Sequence, residues 1–237
     1  MNKNSIVSFS LIAAIAVTIF SSCGYTERAR RASKNEGFIP LPNDTDSTVD
    51  SNLQRSINRQ PHYEEIIHLT PNVDNKRINS VEGVILHHTA EPTIDRSLGV
   101  LTSLKKRVGT HVVIDTDGTR YIMAKPETIT YHAGFSVLNG KEDCNYFTIG
   151  IEFQGNTLEE PLTQDQILSA VEYLLPIVKK YKIPFENVVT HEMVRVAYKK
   201  KYPRKKCSGK VDITQTEYLR FMKVLKNRLH NINDKTK

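Results

Sequence analysis

Two apolar segments of this chain end in histidine. A run of Val, Ile and Leu leads into His87 and His88, and a second run of Val and Thr leads into His191. Such runs, bounded by polar residues, predict buried strands, whose last side chains are held at the edge of the sheet. Cys207 follows in a lysine-rich stretch. Two imidazoles and a thiolate can hold a catalytic zinc ion and leave one position open, so we predict a Zn²⁺ site formed by His87, His191 and Cys207.

An acidic residue also stands inside an apolar segment. Glu152 lies between Ile151 and Phe153. Burying a carboxylate without a partner is costly. An apolar environment raises the pKa of a carboxylate toward the range in which a general base works near neutral pH. We therefore predict that Glu152 is a catalytic base, with a structural salt bridge as the alternative.

Three further histidines accompany these candidates. His88 follows His87 on one strand, so its side chain should point to the opposite face and serve packing. His132 stands beside Ala133 and Gly134, whose small size lets a ligand approach, and we expect it to contact substrate. His111 alternates with apolar neighbours and could face the cleft or the core; we name it as a second candidate for substrate binding.

These side chains need a sheet whose strands end close together. Apolar patterns predict strands over 81–87, 111–115, 119–123, 147–153 and 188–191, and helices over 93–106, 163–180 and from 214 onward. Asp117-Gly118 predicts a hairpin turn, and Thr163 with Gln166 predicts a capping box. Strands that alternate with helices indicate an α/β fold, with a single domain built on a central mixed β-sheet flanked by helices.

The N-terminal residues differ from the rest in composition. A short basic start and an apolar stretch precede Ser21-Ser22-Cys23, which is similar to a bacterial lipoprotein signal. We predict a signal peptide over 1–23 with Cys23 as the lipidated residue, a disordered tether over 24–61, and a catalytic domain over 62–237. An ordinary cleaved signal is the alternative. Lipid chains would anchor the protein to a membrane of the cell envelope, at the periplasmic face or in the outer membrane.

Charge and cysteine content leave several partners open. The formal net charge is +7, which favours anionic partners such as the cell wall, a membrane surface or nucleic acid. Tyr198 and Tyr202 beside the lysine cluster do not form a recognised nucleic-acid module, so we expect no nucleic-acid partner. In an oxidising compartment, Cys144 and Cys207 could instead pair as a disulfide.

The ordered set of segments resembles the zinc-dependent N-acetylmuramoyl-L-alanine amidases, a family that includes the peptidoglycan recognition proteins. The resemblance covers residues 62 to 230. The segments that carry it are 85–90, 110–114, 131–134, 147–152, 190–191 and 205–207.

The resemblance implies a role for each matched residue. His87, His191 and Cys207 would be the zinc ligands, although some branches have Asp in the third position. Glu152 matches the catalytic glutamate. Lys205 lies two residues before the third ligand, where the family places a lysine that stabilises the oxyanion, and Lys206 is its rival.

The activity implied is that of a periplasmic hydrolase in cell-wall turnover. It would cleave the amide bond between N-acetylmuramic acid and L-alanine in peptidoglycan or muropeptides, and we expect a monomer. Two alternatives stay open: a non-catalytic module that binds peptidoglycan, and a zinc peptidase that acts on stem peptides.

Overall fold

A computed structural model of the protein describes residues 62–207, 209 and 212–234. The predicted signal peptide with Cys23 and the predicted tether lie outside the described residues. The strands are β1 (Glu65–Ile67), β2 (Val73–Arg77), β3 (Gly83–His88), β4 (Val112–Ile114), β5 (Arg120–Ile122), β6 (Thr128–Thr130), β7 (Val137–Leu138), β8 (Lys141–Glu142), β9 (Thr148–Phe153) and β10 (Val188–Thr190). The α-helices are α1 (Ile94–Leu101), α2 (Gln164–Tyr181), α3 (His191–Lys201) and α4 (Gln215–Asp234).

Six strands form the main sheet, in the order β1-β5-β4-β9-β3-β10. All neighbouring strands in this sheet are parallel except β4 and β5, which pair antiparallel around the predicted Asp117-Gly118 turn. Two small antiparallel ribbons, β2 with β6 and β7 with β8, stand beside it. The predicted fold class, a central mixed sheet flanked by helices, is confirmed.

One face of the main sheet is covered by α2 and α4. Ile149, Ile151 and Phe153 of β9 pack with residues of both helices in the largest apolar cluster. The predicted capping box at the start of α2 is present, with the Thr163 and Gln166 side chains each accepting from the other residue's backbone N–H. Capping satisfies backbone donors that would otherwise lack partners at a helix start.

The opposite face is covered less completely. Leu98 and Leu101 of α1 pack against Val113 of β4, and a separate cluster joins Ile85 of β3 to Val194 of α3. Between these two clusters, the ends of the central strands carry polar side chains, among them His87 and Glu152. Among the described residues, no helix combines the length and the apolar character that crossing a membrane requires.

The helix predicted over 93–106 ends earlier than its apolar pattern suggests, at Leu101. The Asn72 side-chain amide donates to the carbonyl oxygens of Leu101, Ser103 and Val108, and the Thr70 hydroxyl donates to that of Leu101. These bonds come from a distant segment and hold residues 102–108 as turns. Tertiary contacts therefore override the local helical pattern here.

Candidate metal centre and active site

Three buried side chains offer ligand atoms to one point at the ends of the central strands. His87, His191 and Asp212 each present one such atom, and the three atoms lie within 4.8 Å of one another. Asp212 Oδ2 is 2.7 Å from His191 Nδ1 and 3.7 Å from His87 Nδ1. Two imidazoles and a carboxylate form a ligand set of the kind that holds catalytic divalent metals. The described residues thus contain a possible metal-binding triad.

The position that the sequence analysis gives to Cys207 is held by Asp212. Cys207 lies half-buried in the turn that follows α3 and is a free thiol outside the triad. Cys144 is likewise a free thiol, in a buried apolar cluster, where burial raises its pKa to about 11. The disulfide alternative has no counterpart in this structure, in which both thiols are free.

Hydrogen bonds orient the two imidazoles. The Nε2–H of His191 donates to the carbonyl oxygen of Ala133, at 3.1 Å. The ring of His132 contacts the Thr148 carbonyl oxygen through Nε2, at 3.4 Å, so its Nδ1 can accept the Nε2–H of His87, at 3.2 Å. Both histidines of the triad then direct Nδ1 toward Asp212, which is how partners outside a metal site set the ligating nitrogen.

His88 takes part in placing Asp212, as a neighbour on the strand rather than a ligand. Its backbone N–H donates to Asp212 Oδ1 at 3.3 Å. Its ring nitrogen Nδ1 accepts from the backbone N–H of Thr157, and the Thr157 hydroxyl oxygen accepts from the N–H of Thr214. The side chain thus points away from the cavity, as alternation along the strand predicts, and helps to fix the segment that carries Asp212.

Glu152 lies beside His87 because the two are in register on neighbouring parallel strands. Its side chain lines the same cavity and is 7% exposed. Within the part of the chain that the structure describes, the Oε2 atom is buried without a hydrogen-bond partner. A buried carboxylate oxygen that lacks a partner is costly and calls for a function. The structure thus brings Glu152 to the triad.

His132 lines the cavity and is buried between other imidazoles. Burial first, and then the neighbouring His87 and His111, hold the pKa of His132 well below its usual range. The glycine at position 150 makes room for this ring, because a Cβ there would lie 2.7 Å from His132 Cγ. His132 therefore lies where substrate could reach it, and it also orients His87.

His111 is fully buried and does not line the cavity. Its Nε2–H donates to the carbonyl oxygen of Thr128, and its Nδ1 accepts from the N–H of Gly150. Burial lowers its pKa to about 4. With both nitrogens used inside the protein, the structure gives His111 a structural position, away from the substrate contact expected of it.

Lys205 and Lys206 are exposed and lie outside the cavity wall. The ammonium of Lys205 stands 4.3 Å from the ring centre of Tyr202. Lys210 lies two residues before Asp212, which is the spacing that the resemblance gives for a catalytic lysine and its metal ligand. Lys210 is outside the described residues. The sequence analysis did not identify Asp212 as a candidate ligand, although its spacing from a lysine was a signal that could have identified it.

His87 and His191 of the triad line a cavity of about 430 Å³. Its wall includes His132, Glu152 and His191, together with Arg107 and the aromatic Phe135. Among the described residues that line it, Arg107 is the single Lys or Arg. The cavity is large enough for a small ligand with both polar and apolar groups.

Comparison with known proteins bears on this arrangement. The family profile of N-acetylmuramoyl-L-alanine amidases matches residues 77–210, which is more than half of the chain. The chain belongs to this amidase family. The matched region contains His87, Glu152 and His191 and ends just before Asp212.

Individual relatives share part of the chain. The 1,6-anhydro-N-acetylmuramyl-L-alanine amidase AmpD of Haemophilus influenzae is 39% identical over 88 residues, which are 36% of this chain and 46% of that protein. AmpD of Citrobacter freundii is 36% identical over 86 residues, 36% of this chain and 45% of the relative. The chain therefore spans less than half the length of these relatives.

A solved structure shares the fold. The Staphylococcus aureus hydrolase AmiA, solved in complex with its ligand, superposes with a TM-score of 0.53 at 15% identity. The match covers 76% of this chain and 91% of AmiA. At this identity the likeness concerns the fold alone.

Proposed function

We propose that this protein is a zinc-dependent amidase that cleaves the bond between N-acetylmuramic acid and L-alanine in peptidoglycan or muropeptides. The convergence of His87, His191 and Asp212 beside Glu152 carries the proposal. Membership of the amidase family supports it, as do the names of the AmpD relatives, which specify this bond in 1,6-anhydro sugars.

The residues present fit a divalent metal. Nδ1 of His191 and Oδ2 of Asp212 lie 2.7 Å apart, within hydrogen-bond distance, while Nε2 of His191 is engaged by the Ala133 carbonyl oxygen. A divalent cation would be held by these two atoms in place of the proton between them. Two imidazoles and one carboxylate suit zinc in a hydrolase. Bound there, the metal supplies a Lewis acid for the amide carbonyl and lowers the pKa of a water molecule.

Glu152 is the proposed proton carrier. Its free Oε2 accepts the proton of the attacking water and delivers it to the leaving nitrogen of L-alanine, so no net proton is gained or lost by the protein. A positioned acid–base group of this kind is typically worth about 10²–10⁴ in rate.

Lys210 is the proposed donor to the developing oxyanion. Its place two residues before Asp212 supports this role, and the exposure of Lys205 and Lys206 speaks against them. We expect Lys210→Ala to lower kcat by about 10²–10³, the range for loss of one oxyanion donor. Lys205→Ala and Lys206→Ala are matched controls and should stay within twofold of wild type. A larger loss in either control would return the role to that lysine.

The decisive experiment treats purified muropeptides with the full-length protein and identifies the products by mass spectrometry. Cleavage should release intact stem peptide and peptide-free sugar, should stop with a chelator, and should return with Zn²⁺. Products cut within the stem peptide would indicate a peptidase. Binding without any cleavage in the zinc-loaded protein would indicate a non-catalytic module.

The third ligand is tested by a pair of variants. Asp212→Ala should remove most of the bound zinc and with it the activity, since one of three protein ligands is lost. Cys207→Ser should keep the zinc content of wild type. Metal analysis of both proteins measures this, and the reverse result would assign the third ligand to Cys207.

We also propose that Cys23 is lipidated and anchors the domain to a membrane of the cell envelope. The support is the sequence around Cys23. The wild-type protein expressed in bacteria should incorporate a labelled fatty acid and sediment with membranes. Cys23→Ser should do neither, and label retained in that variant would exclude the assignment.

A further inference from the structure

An aromatic side chain stands open at the wall of the cavity. Phe135 is 60% exposed, although it is one of the largest apolar side chains in the domain. It lines the cavity with His132 and His191. Ala133, two residues before it, has a carbonyl oxygen 3.1 Å from Nε2 of His191, so the exposed ring is carried by the loop that contacts the candidate metal centre.

The ring of Phe135 is held in place by aromatic side chains that pack against one of its faces. It stacks on Tyr198 of α3, with ring centres 5.3 Å apart and planes 16° from parallel. Tyr198 is 3% exposed and packs in turn against Tyr202, with ring centres 5.0 Å apart. The Lys205 ammonium lies over the ring of Tyr202 and extends this row of stacked side chains by a cation–π contact. One face of Phe135 is thus fixed on a buried support, while the side chain as a whole stays open to solvent.

Such a surface suits a sugar ring. The face of an aromatic ring carries partial negative charge, and the C–H groups on the apolar face of a pyranose carry partial positive charge. A ring already held flat loses little conformational entropy on binding. Of the two groups that the scissile amide joins, N-acetylmuramic acid offers a flat apolar ring face, and L-alanine does not.

We propose that Phe135, supported by Tyr198, is a stacking platform for a pyranose ring on the glycan side of the scissile bond. This inference rests on the proposed function and adds to it a residue that selects sugar-bearing substrates over free stem peptides. Phe135 is a binding residue and takes no part in the chemistry.

Two ligands that the enzyme cannot cleave separate sugar binding from peptide binding. One is the peptide-free disaccharide of N-acetylglucosamine and N-acetylmuramic acid, and the other is the sugar-free stem tetrapeptide. Titration calorimetry with the full-length, zinc-loaded protein should show Phe135→Ala weakening disaccharide binding by about three- to tenfold. The Kd of the tetrapeptide should stay within twofold of wild type.

Three variants sharpen the test. Phe135→Tyr keeps an aromatic face and should restore disaccharide binding, whereas Phe135→Leu keeps apolar bulk and should not. Ile67→Ala alters a side chain that is 69% exposed but lies outside the cavity wall, and it should change neither Kd.

The platform is ruled out if Phe135→Ala leaves disaccharide binding unchanged, if it weakens both ligands equally, or if wild type fails to bind the disaccharide. Cleavage of muropeptides by wild type, measured in parallel, reports on the proposed function alone. Active wild type with no effect of Phe135→Ala would therefore remove this inference and leave the amidase assignment standing.

Discussion

The two faces of strand β9 have different roles, although every residue of the strand is buried. Ile149, Ile151 and Phe153 point toward α2 and α4 and belong to the main apolar cluster. Their alternates include Gly150, which makes room for the His132 ring, and Glu152, which lines the cavity. Because side chains alternate along a strand, one segment can stabilise the fold on one face and present chemical groups on the other.

The unfavourable burial of polar groups is found on the face of β9 that lines the cavity. Glu152 Oε2 and Thr110 Oγ1 are buried with no hydrogen-bond partner among the described residues, and His132 is buried among other imidazoles. Burying such groups is unfavourable, and the apolar packing under α2 and α4 offsets it. Local rules that are violated on one face and satisfied on the other are typical of a functional site.

Replacing one carboxylate oxygen of Glu152, on the cavity face, should have the largest effect on activity. Glu152→Gln keeps the shape of the side chain but removes the proton acceptor, so we expect kcat to fall by about 10²–10⁴. The zinc content and the thermal midpoint of unfolding should stay near wild type, because the amide also removes a buried charge. Muropeptide turnover, metal analysis and calorimetry measure these three quantities. Turnover within tenfold of wild type would take the base role away from Glu152.

Replacing the adjacent residue, Phe153 on the helix-covered face, should lower stability and leave kcat nearly unchanged. Phe153 is fully buried and packs edge-to-face on Phe221, with ring centres 6.0 Å apart. We expect Phe153→Ala to lower the free energy of unfolding by about 3–5 kcal/mol, the usual cost of removing a buried Phe. The kcat per folded molecule should change little. Denaturant unfolding measures the loss, and Leu104→Ala, at a site that is 69% exposed, is the matched control at about 0.5 kcal/mol or less.

The sequence predicts the residues that lie in a regular strand or directly after one. His87, His191 and Glu152 were identified because each interrupts or ends an apolar run, and the structure brings all three to one cavity. Asp212 lies in an irregular stretch before α4, where no periodic pattern marks it, so the more conspicuous Cys207 was chosen instead. The contact of Asp212 with the His88 backbone N–H helps to place Asp212, and not Cys207, at the triad. This contact joins residues far apart in the chain, so no local sequence pattern predicts it.

His111 shows a second limit of local patterns. Alternation along β4 leaves open whether its side chain faces the cleft or the core. The carbonyl oxygen of Thr128 and the hydroxyl of Thr130 decide the matter, because strand β6 brings them against the ring from a separate ribbon. Contacts from another sheet cannot be inferred from the residues around position 111.

The buried position of His111 predicts a pH dependence of stability. Burial lowers the pKa of His111 to about 4 in the folded protein, below its ordinary value of 6.5. The unfolded chain therefore binds the proton more tightly, and stability is fully present above pH 6.5 and declines as the pH falls toward 4. The gap between the two pKa values corresponds to roughly 3 kcal/mol.

Replacement of His111 should reduce this dependence. His111→Asn keeps an acceptor for the Gly150 N–H but cannot take up a proton, so its free energy of unfolding should fall less steeply than that of wild type between pH 6.5 and 4. Denaturant unfolding at several pH values, with metal removed from both proteins, measures the two slopes, and His62→Asn at an exposed site is the control. Identical slopes for His111→Asn and wild type would mean that His111 gains its proton as readily in the fold as outside it. In that case the burial of the cavity face would not exclude charge at this position, and the contrast between the two faces of the sheet would be weaker than the contacts of His111 indicate.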